Sequence, residues 1–537
     1  MATFNSIHGK TLERVLLYAI RGFSTLYSLR REQLEYFGLA WVCREWRRML
    51  LPKLYKCAFI TIMSTSSPAK SNIRLIVDNG LSKYAQHLHI RCPSRYIASG
   101  HLIKLLDERL FHKANWSSIY NLGIYENLHS PFINSRRKVE ISADMCDTAN
   151  QYLHTYLPTL TSITIIHPPG IYTTHPLARL ANLKLHQLST LNISGASIIF
   201  THHSFSSSLT HLTLRLSSGQ TTLPHIATRN LRTLELLDIP SNFSWRCFSF
   251  ESNDSFYFSE LESMTLRYST TPIDWKTVIS SHSTTHPYAA ALRKIHMPKL
   301  KRLLLSDIPP SDTHLFAPLL LLHLDSLHIV STIDVLTQMN LCFPFSKEVS
   351  IRLSNNSIED TQMYNTFTET IFSSFSVATK VAFEVEHYIP VSINTVCWLD
   401  LQKLDILAFI SRTTLYRLLS QLPLLEELRV KFITTDGEQC QYDKQHGISL
   451  YSPDNSINCN LRYLECFYST SHFPLVFDLY PLYEFIANVV TLKEVRVPEF
   501  YLQDTQDHFN QDSMQEYPHI HNILFVDSFE RFYRPPQ

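Results

Sequence analysis

Residues 401–430 read LQKLDILAFISRTTLYRLLSQLPLLEELRV, and two periods alternate within them. Leu404 and Ile406 flank the polar Asp405, the period of two expected of a strand with one buried face. Leu415, Leu418, Leu419 and Leu422 then recur at helical spacing. Pro423 stops that helix, because proline brings no amide hydrogen to continue it. Leu425, Leu428 and Val430 repeat the opening phrase. Strand, turn, helix, turn and strand predict a coil whose two strands lie parallel.

The phrase, apolar–x–x–apolar–x–apolar, recurs along most of the chain. Clear copies begin at Leu188, Leu209, Leu231, Leu261, Leu300, Leu324, Leu401, Leu425, Leu461 and Leu492. Weaker ones begin at Ala85, Ile119, Leu160, Glu348, Ala378 and Ile520. Starts lie roughly 21 to 41 residues apart, against about 20–29 for a leucine-rich repeat, so the longer intervals hold a full helix or an insertion. No single unit can bury its apolar pair, but stacked neighbours make a continuous core. Two further segments have helical period: Leu102, Leu105, Leu106 and Leu110, and Tyr483, Ile486, Ala487 and Val490. Residues 238–259 and 436–460, rich in Ser, Asn, Asp and aromatics, read as surface loops. Phe243, Trp245, Phe248, Phe250, Phe256 and Phe258 in the first of these read as cover for the core rather than an exposed patch.

Composition narrows the function classes. The chain has 537 residues, is 45% hydrophobic and 12% aromatic, and has a formal net charge of +1. That balance offers no global attraction for nucleic acid or an anionic membrane, and neither is expected as a partner. Only 11 glycines are present, which disfavours glycine-rich phosphate loops. Ten cysteines without a C-x-x-C pair read as reduced thiols of a cytoplasmic or nuclear protein. The N-terminus has no apolar run leading to a small-residue cleavage site, and residues 315–330 are interrupted by Pro318, His323 and Asp325, so neither signal peptide nor membrane span is expected.

Motifs that would carry chemistry fail in turn. Gly9-Lys10-Thr11 lacks the earlier glycine of a phosphate loop, since Phe4 stands there. His282 and His286, His202 and His203, and His519 and His521 have no cysteine pair beside them and do not form H-E-x-x-H. No G-x-S-x-G elbow occurs. No catalytic residue, metal or cofactor is expected, and the protein reads as a non-enzyme.

The N-terminal residues have a different pattern. Leu12, Val15, Leu16, Ala19 and Ile20 suit a first amphipathic helix. A second runs through GLAWVCREWRRML from Gly38, with Leu39, Val42, Cys43, Trp46, Met49 and Leu50 on one stripe. Arg44, Glu45, Arg47 and Arg48 take its other face. Pro52 ends it, and Ala58 to Ile62 reads as a short strand. Residues 63–80 begin with a Ser- and Pro-rich stretch and read as a linker to repeats spanning 81–530.

Val42, Cys43, Arg44, Trp46 and Arg47, with Leu39 before and Leu54 after, resemble the C-terminal half of an F-box. Leu12, Val15, Leu16 and Ile20 are similar in character to its first helix. Ile7-His8-Gly9-Lys10 stands where the family has a Leu-Pro opening. The repeats are similar to those of fungal F-box proteins that carry leucine-rich repeats. The resemblance implies an α/β chain: a small helical F-box-like unit over 1–62, then a curved leucine-rich-repeat solenoid with a parallel sheet. It implies a substrate receptor of an SCF (cullin-RING) ubiquitin ligase, bound to a Skp-type adaptor through Leu12, Val15, Leu16, Leu39, Val42, Arg44, Trp46 and Arg47. The protein substrate would lie on the concave face, where the residue between each last apolar pair should point. Glu235, His328, Arg352, Asp405, Arg429, Glu465 and Arg496 are the leading candidates, with Thr164, Asn192, Thr213, Thr265 and Leu304 beside them. A second reading stays open: a repeat scaffold without any ubiquitin link, in which residues 1–62 only cap the exposed end of the solenoid.

Overall fold

Each copy of the phrase becomes a strand in the computed structural model of the chain. The described residues are 44, 55–62, 70–93, 101–126, 143–166, 177–194, 200, 205, 207–216, 222–248, 250–251, 255–269, 294–316, 319, 322–339, 345–353, 361–374, 376–385, 393, 395–434, 460–466, 485–486, 489–498, 520 and 522–526. The chain is mixed α/β and divides into two compact units, residues 1–233 with 242–249, and residues 234–241 with 250–537.

In the first unit the strands are β1 Cys57–Thr61, β2 Lys70–Ser71, β3 His87–Cys92, β4 Asn121–Glu126, β5 Ser162–Ile166, β6 Thr190–Ser194 and β7 His211–Arg215. β1 pairs parallel with β3, and β3 through β7 then pair parallel in chain order. β1 is itself a copy of the phrase, with Tyr55, Ala58 and Ile60 buried, so the sheet begins inside the segment read as the N-terminal unit. β2, from the expected linker, pairs antiparallel with β1. Asn72 completes that edge: its Oδ1 accepts from Phe59 N at 2.8 Å, and its Nδ2 donates to Cys57 O at 2.9 Å. A strand edge left open would be a template for further pairing.

Helices α1 Ile73–Asp78, α2 His101–Glu108, α3 Ala143–Tyr156 and α4 Ala178–Lys184 lie between these strands. Leu102, Leu105 and Leu106 of α2 are buried as their spacing predicts. Leu110 leaves the helix instead, in the left-handed region at φ 63°. The aromatic segment packs inward here, with Phe243 and Phe248 buried and Trp245 stacked on Phe248.

In the second unit β8 Thr233–Ile239 pairs with β11 Ser263–Tyr268. After it come β13 Arg302–Ser306, β14 Ser326–Ser331, β15 Glu348–Leu353, β16 Lys380–Glu384, β17 Lys403–Ser411, β18 Glu427–Thr434, β19 Tyr463–Cys466, β20 Glu494–Pro498 and β21 Asn522–Val526. From β11 to β21 each pairs parallel with the next. A separate small sheet joins β9 Phe250–Glu251, β10 Ser255–Tyr257 and β12 Lys294–His296. The helices are α5 Thr313–Phe316, α6 Ile333–Gln338, α7 Thr361–Ser373 and α8 Arg412–Gln421. Leu415, Leu418, Leu419 and Leu422 are buried, as read. The third helical stripe shifts: Phe485, Ile486, Val489 and Leu492 are buried, while Val490 turns outward and is 57% exposed.

A backbone device repeats in both units. One carbonyl before each strand accepts two successive amides of the next coil. Thr379 O takes Gln402 N and Lys403 N at 2.9 and 3.0 Å, and Gln402 O takes Glu426 N and Glu427 N at 2.8 and 3.0 Å. Lys56, Gln86, Tyr120, Thr161 and Ser189 play the same part in the first unit. Among the described residues the device splits where Lys347 N goes to Leu324 O and Glu348 N to Asp325 O. Just before, Ser346 occupies the first apolar position of its coil, buried and with no hydrogen-bond partner for its hydroxyl.

Candidate interaction surfaces

Side chains alternate across a strand, so each sheet has a buried side and an open one. On the buried side Leu404, Ile406, Leu428, Val430 and Leu464 are at most 1% exposed. On the open side the parallel register aligns one residue per strand into a row. In the second unit that row is Thr265, Leu304, His328, Ser350, Ala382, Asp405, Arg429, Glu465 and Arg496.

Most of the expected surface residues fall on this row. His328, Asp405, Arg429, Glu465 and Arg496 are in it, and Glu235 takes the corresponding place between Leu234 and Leu236, both buried, on β8. Arg352 is displaced: Ser350 pairs with His328, and Arg352 stands one step along, opposite Val330 and Glu384. The cause is Ser346, which fills the first apolar position and shifts the phrase by two residues. Thr164, Asn192 and Thr213 line up in the first unit with Phe59, His89 and Gly123.

Charge on the second unit's open side is arranged in cross-strand pairs. Arg429 reaches Asp405 at 3.6 Å and Glu465 at 3.2 Å. Arg496 reaches Glu465 of the next strand at 3.8 Å and Glu494 of its own strand at 2.6 Å. The neighbouring row adds Glu348–Lys380 at 2.7 Å and Lys403–Glu427 at 2.9 Å. The row beyond adds Arg352–Glu384 at 3.6 Å. Opposite charges directly across a strand pair each stabilise it by roughly 0.2–1 kcal/mol. Asp405 is the least satisfied member: its Oδ1 is buried and accepts no hydrogen bond. Burial holds its carboxyl above the ordinary range, against the pull of Arg429 and Lys403. Burial, then Arg352, holds His328 below its usual value. Lys403, Glu427 and Glu494 were legible as the i−2 neighbours of Asp405, Arg429 and Arg496, whereas Glu348, Lys380 and Glu384 flank Ser350 and Ala382, which were not candidates; only the register pairs all six.

The first unit's open side is aromatic at β3 and β4, with Arg91 and Arg215 among its described side chains. His87 lies edge-on to Tyr120 with centroids 5.2 Å apart, and His89 stacks on Tyr125 at 5.7 Å. Gly123 makes this possible, because a Cβ there would meet the Tyr125 ring at 2.7 Å. Both histidines are held below their usual pKa, chiefly by burial. Each Nδ1 is buried without a hydrogen-bond partner.

The thiols of Cys57, Cys247 and Cys466 are pushed up to about 12 by burial, far from nucleophilic thiolates at neutral pH. Among the described residues no three His, Cys, Asp or Glu side chains are grouped to hold a metal, and no helix is long and apolar enough to cross a membrane.

Of the adaptor candidates, Arg44 is described and lies exposed in helical conformation. Leu12, Val15, Leu16, Leu39, Val42, Trp46 and Arg47 lie outside the described residues. A scan against protein-family models finds no match, and a search of curated proteins finds none.

Proposed function

We propose that this chain is a non-catalytic receptor that holds a protein on the open side of a curved leucine-rich-repeat solenoid. Its N-terminal F-box-like unit would tether it to a Skp-type adaptor of a cullin-RING ubiquitin ligase. The observation that carries the receptor reading is the open row itself, an in-register line of mostly polar and charged side chains on a parallel sheet. Proximity of a bound protein to the ubiquitin-loaded enzyme is all such a receptor has to supply. The ligase link rests on the resemblance of Leu39, Val42, Cys43, Arg44, Trp46 and Arg47 to an F-box helix.

The competing scaffold reading gives residues 1–62 only a capping task. Asn72 and β2 weigh against it, since they already occupy Cys57 O, Phe59 N and the outer edge of β1. A pull-down with a purified Skp-type adaptor tests the ligase link. Binding by the wild type, lost in Leu39→Asp and Trp46→Asp, is the expected result. Absence of binding, or binding indifferent to both substitutions, would overturn it. A chain starting at Tyr55 is expected to stay folded while losing the adaptor; its aggregation would favour capping instead.

A further inference from the structure

Side-chain size dips along the open row of the second unit. Leu304 and His328 are followed by Ser350 and Ala382, and then by Asp405 and Arg429. The two small residues sit side by side, half-buried, on β15 and β16. They floor a step with His328 at one end and Asp405 at the other. Its long sides are the Glu348–Lys380 pair and the Arg352–Glu384 pair. Strands lie about 4.8 Å apart, so the step spans roughly 14 Å from His328 to Asp405, room for an extended aliphatic stem.

Among the described residues the charges around its Asp405 end do not balance. Lys403, Arg429 and Arg496 face Asp405, Glu427, Glu465 and Glu494. Lys403 is committed to Glu427 at 2.9 Å and Arg496 to Glu494 at 2.6 Å. Arg429 lies closer to Glu465, at 3.2 Å, than to Asp405, at 3.6 Å. Asp405 is therefore left with the weakest contact, and its Oδ1 with none. The flanking pairs cannot make up the shortfall, because Lys380 and Arg352 each face a glutamate of their own. Burial and the neighbouring Arg352 disfavour the cationic form of His328 at the other end. The torsion that turns a carboxylate is soft, so either oxygen of Asp405 can be presented to a newcomer.

We propose that the step over Ser350 and Ala382 receives a lysine or arginine side chain of the protein partner, whose cationic end pairs with Asp405. The inference rests on the receptor reading and specifies what that receptor selects. The stem lies on Ala382 and Ser350, and the charge completes the ladder.

A peptide-display library panned against the full chain tests it, with Asp405→Asn and Ala382→Leu panned in parallel. The first variant removes the charge at nearly constant shape; the second keeps the charge and fills the step. Thermal unfolding establishes that each is folded. The wild type is expected to enrich peptides sharing one basic position. A synthetic peptide of the leading sequence should bind each variant about two- to fivefold more weakly, the scale of one partly exposed charge pair. Enriched peptides with no shared basic residue, or binding unchanged in both variants, would overturn the inference and leave the receptor intact. Failure to enrich any peptide would remove the receptor reading, and the inference with it.

Discussion

The two units share a buried side and differ on the open one. Inward, Leu191 and Ile193 of β6 do what Leu404 and Ile406 of β17 do, all within 1% of full burial. Outward, β3 to β7 present histidine, tyrosine, small polar residues and the two arginines Arg91 and Arg215, while β15 to β20 present opposed charges. Stacking requires an identical inner face and leaves the outer one unconstrained. The outer face is therefore where partner specificity can differ from coil to coil without cost to the fold.

The inner equivalence can be broken by matched truncations. Leu191→Ala and Leu404→Ala each delete a fully buried side chain and should destabilise their own unit by about 2–5 kcal/mol. Hydrogen exchange in the flanking strands reads the loss locally. A difference above about 1 kcal/mol between the two would mean that the buried sides are not equivalent, since cost at fixed chemistry reflects how far a site collapses.

Next in size is the sealed edge of β1. Asn72→Ala removes both hydrogen bonds to Phe59 N and Cys57 O and should cost about 1–2 kcal/mol. The Phe59 amide should exchange faster, with the far strands of the first unit unchanged. An unaltered exchange rate would show that β2 alone holds the edge.

Gly123→Ala sharpens the outer contrast. Its Cβ would sit 2.7 Å from the Tyr125 ring, so the ring must swing away from His89. We expect a cost of about 1 kcal/mol, the scale of an aromatic pair and a displaced side chain, and upfield-shifted His89 ring resonances that return toward free histidine. In the second unit the corresponding exposed test is small. Lys347→Ala breaks the pair with Asp325, whose side chains are 69% and 51% exposed, and stability should move by less than about 1 kcal/mol.

Much of the buried side was legible, because a position that must be apolar leaves its mark on every copy. Even the weak copies at Ala85, Ile119 and Ile520 mark strands. The phrase at Glu348 misled by two residues, since Ser346 stands where a leucine was expected and is nevertheless buried. Val490 misled in the same way: helical spacing continued past the helix into an exposed turn. The paired amides on single carbonyls are backbone contacts and leave no trace in side-chain identity. Asn72 reads as one more turn residue until its two partners are seen. On the open side the candidate residues were visible one by one. Their pairing was not, because it depends on which residue of the next strand stands opposite, and the insertions between coils hide that register.

The last comparison is of pH response: His328 gives the second unit a loss on acidification like that of His87 and His89 in the first, while Asp405 acts in the opposite sense. His87 and His89 have folded pKa values below the ordinary 6.5. Above 6.5 both states are neutral, and these groups cost nothing. As pH falls below 6.5 the unfolded chain takes protons first, so the first unit loses stability down to the folded pKa values. Asp405 acts oppositely, because its folded pKa lies above the ordinary 3.8. Below 3.8 both states are protonated. As pH rises from 3.8 to the raised folded value, the unfolded chain ionises first, and the second unit loses the stability tied to that group. Hydrogen exchange followed unit by unit should show the first unit loosening on acidification from pH 7 to 5. His89→Phe, which keeps a ring against Tyr125 but cannot titrate, should flatten part of that slope. Asp405→Asn should leave it untouched and remove an opposing slope from β16 to β18 in the more acidic range that begins at pH 3.8. If one substitution flattened the response of both units, the separation of an aromatic outer face from a charged one would have no energetic counterpart.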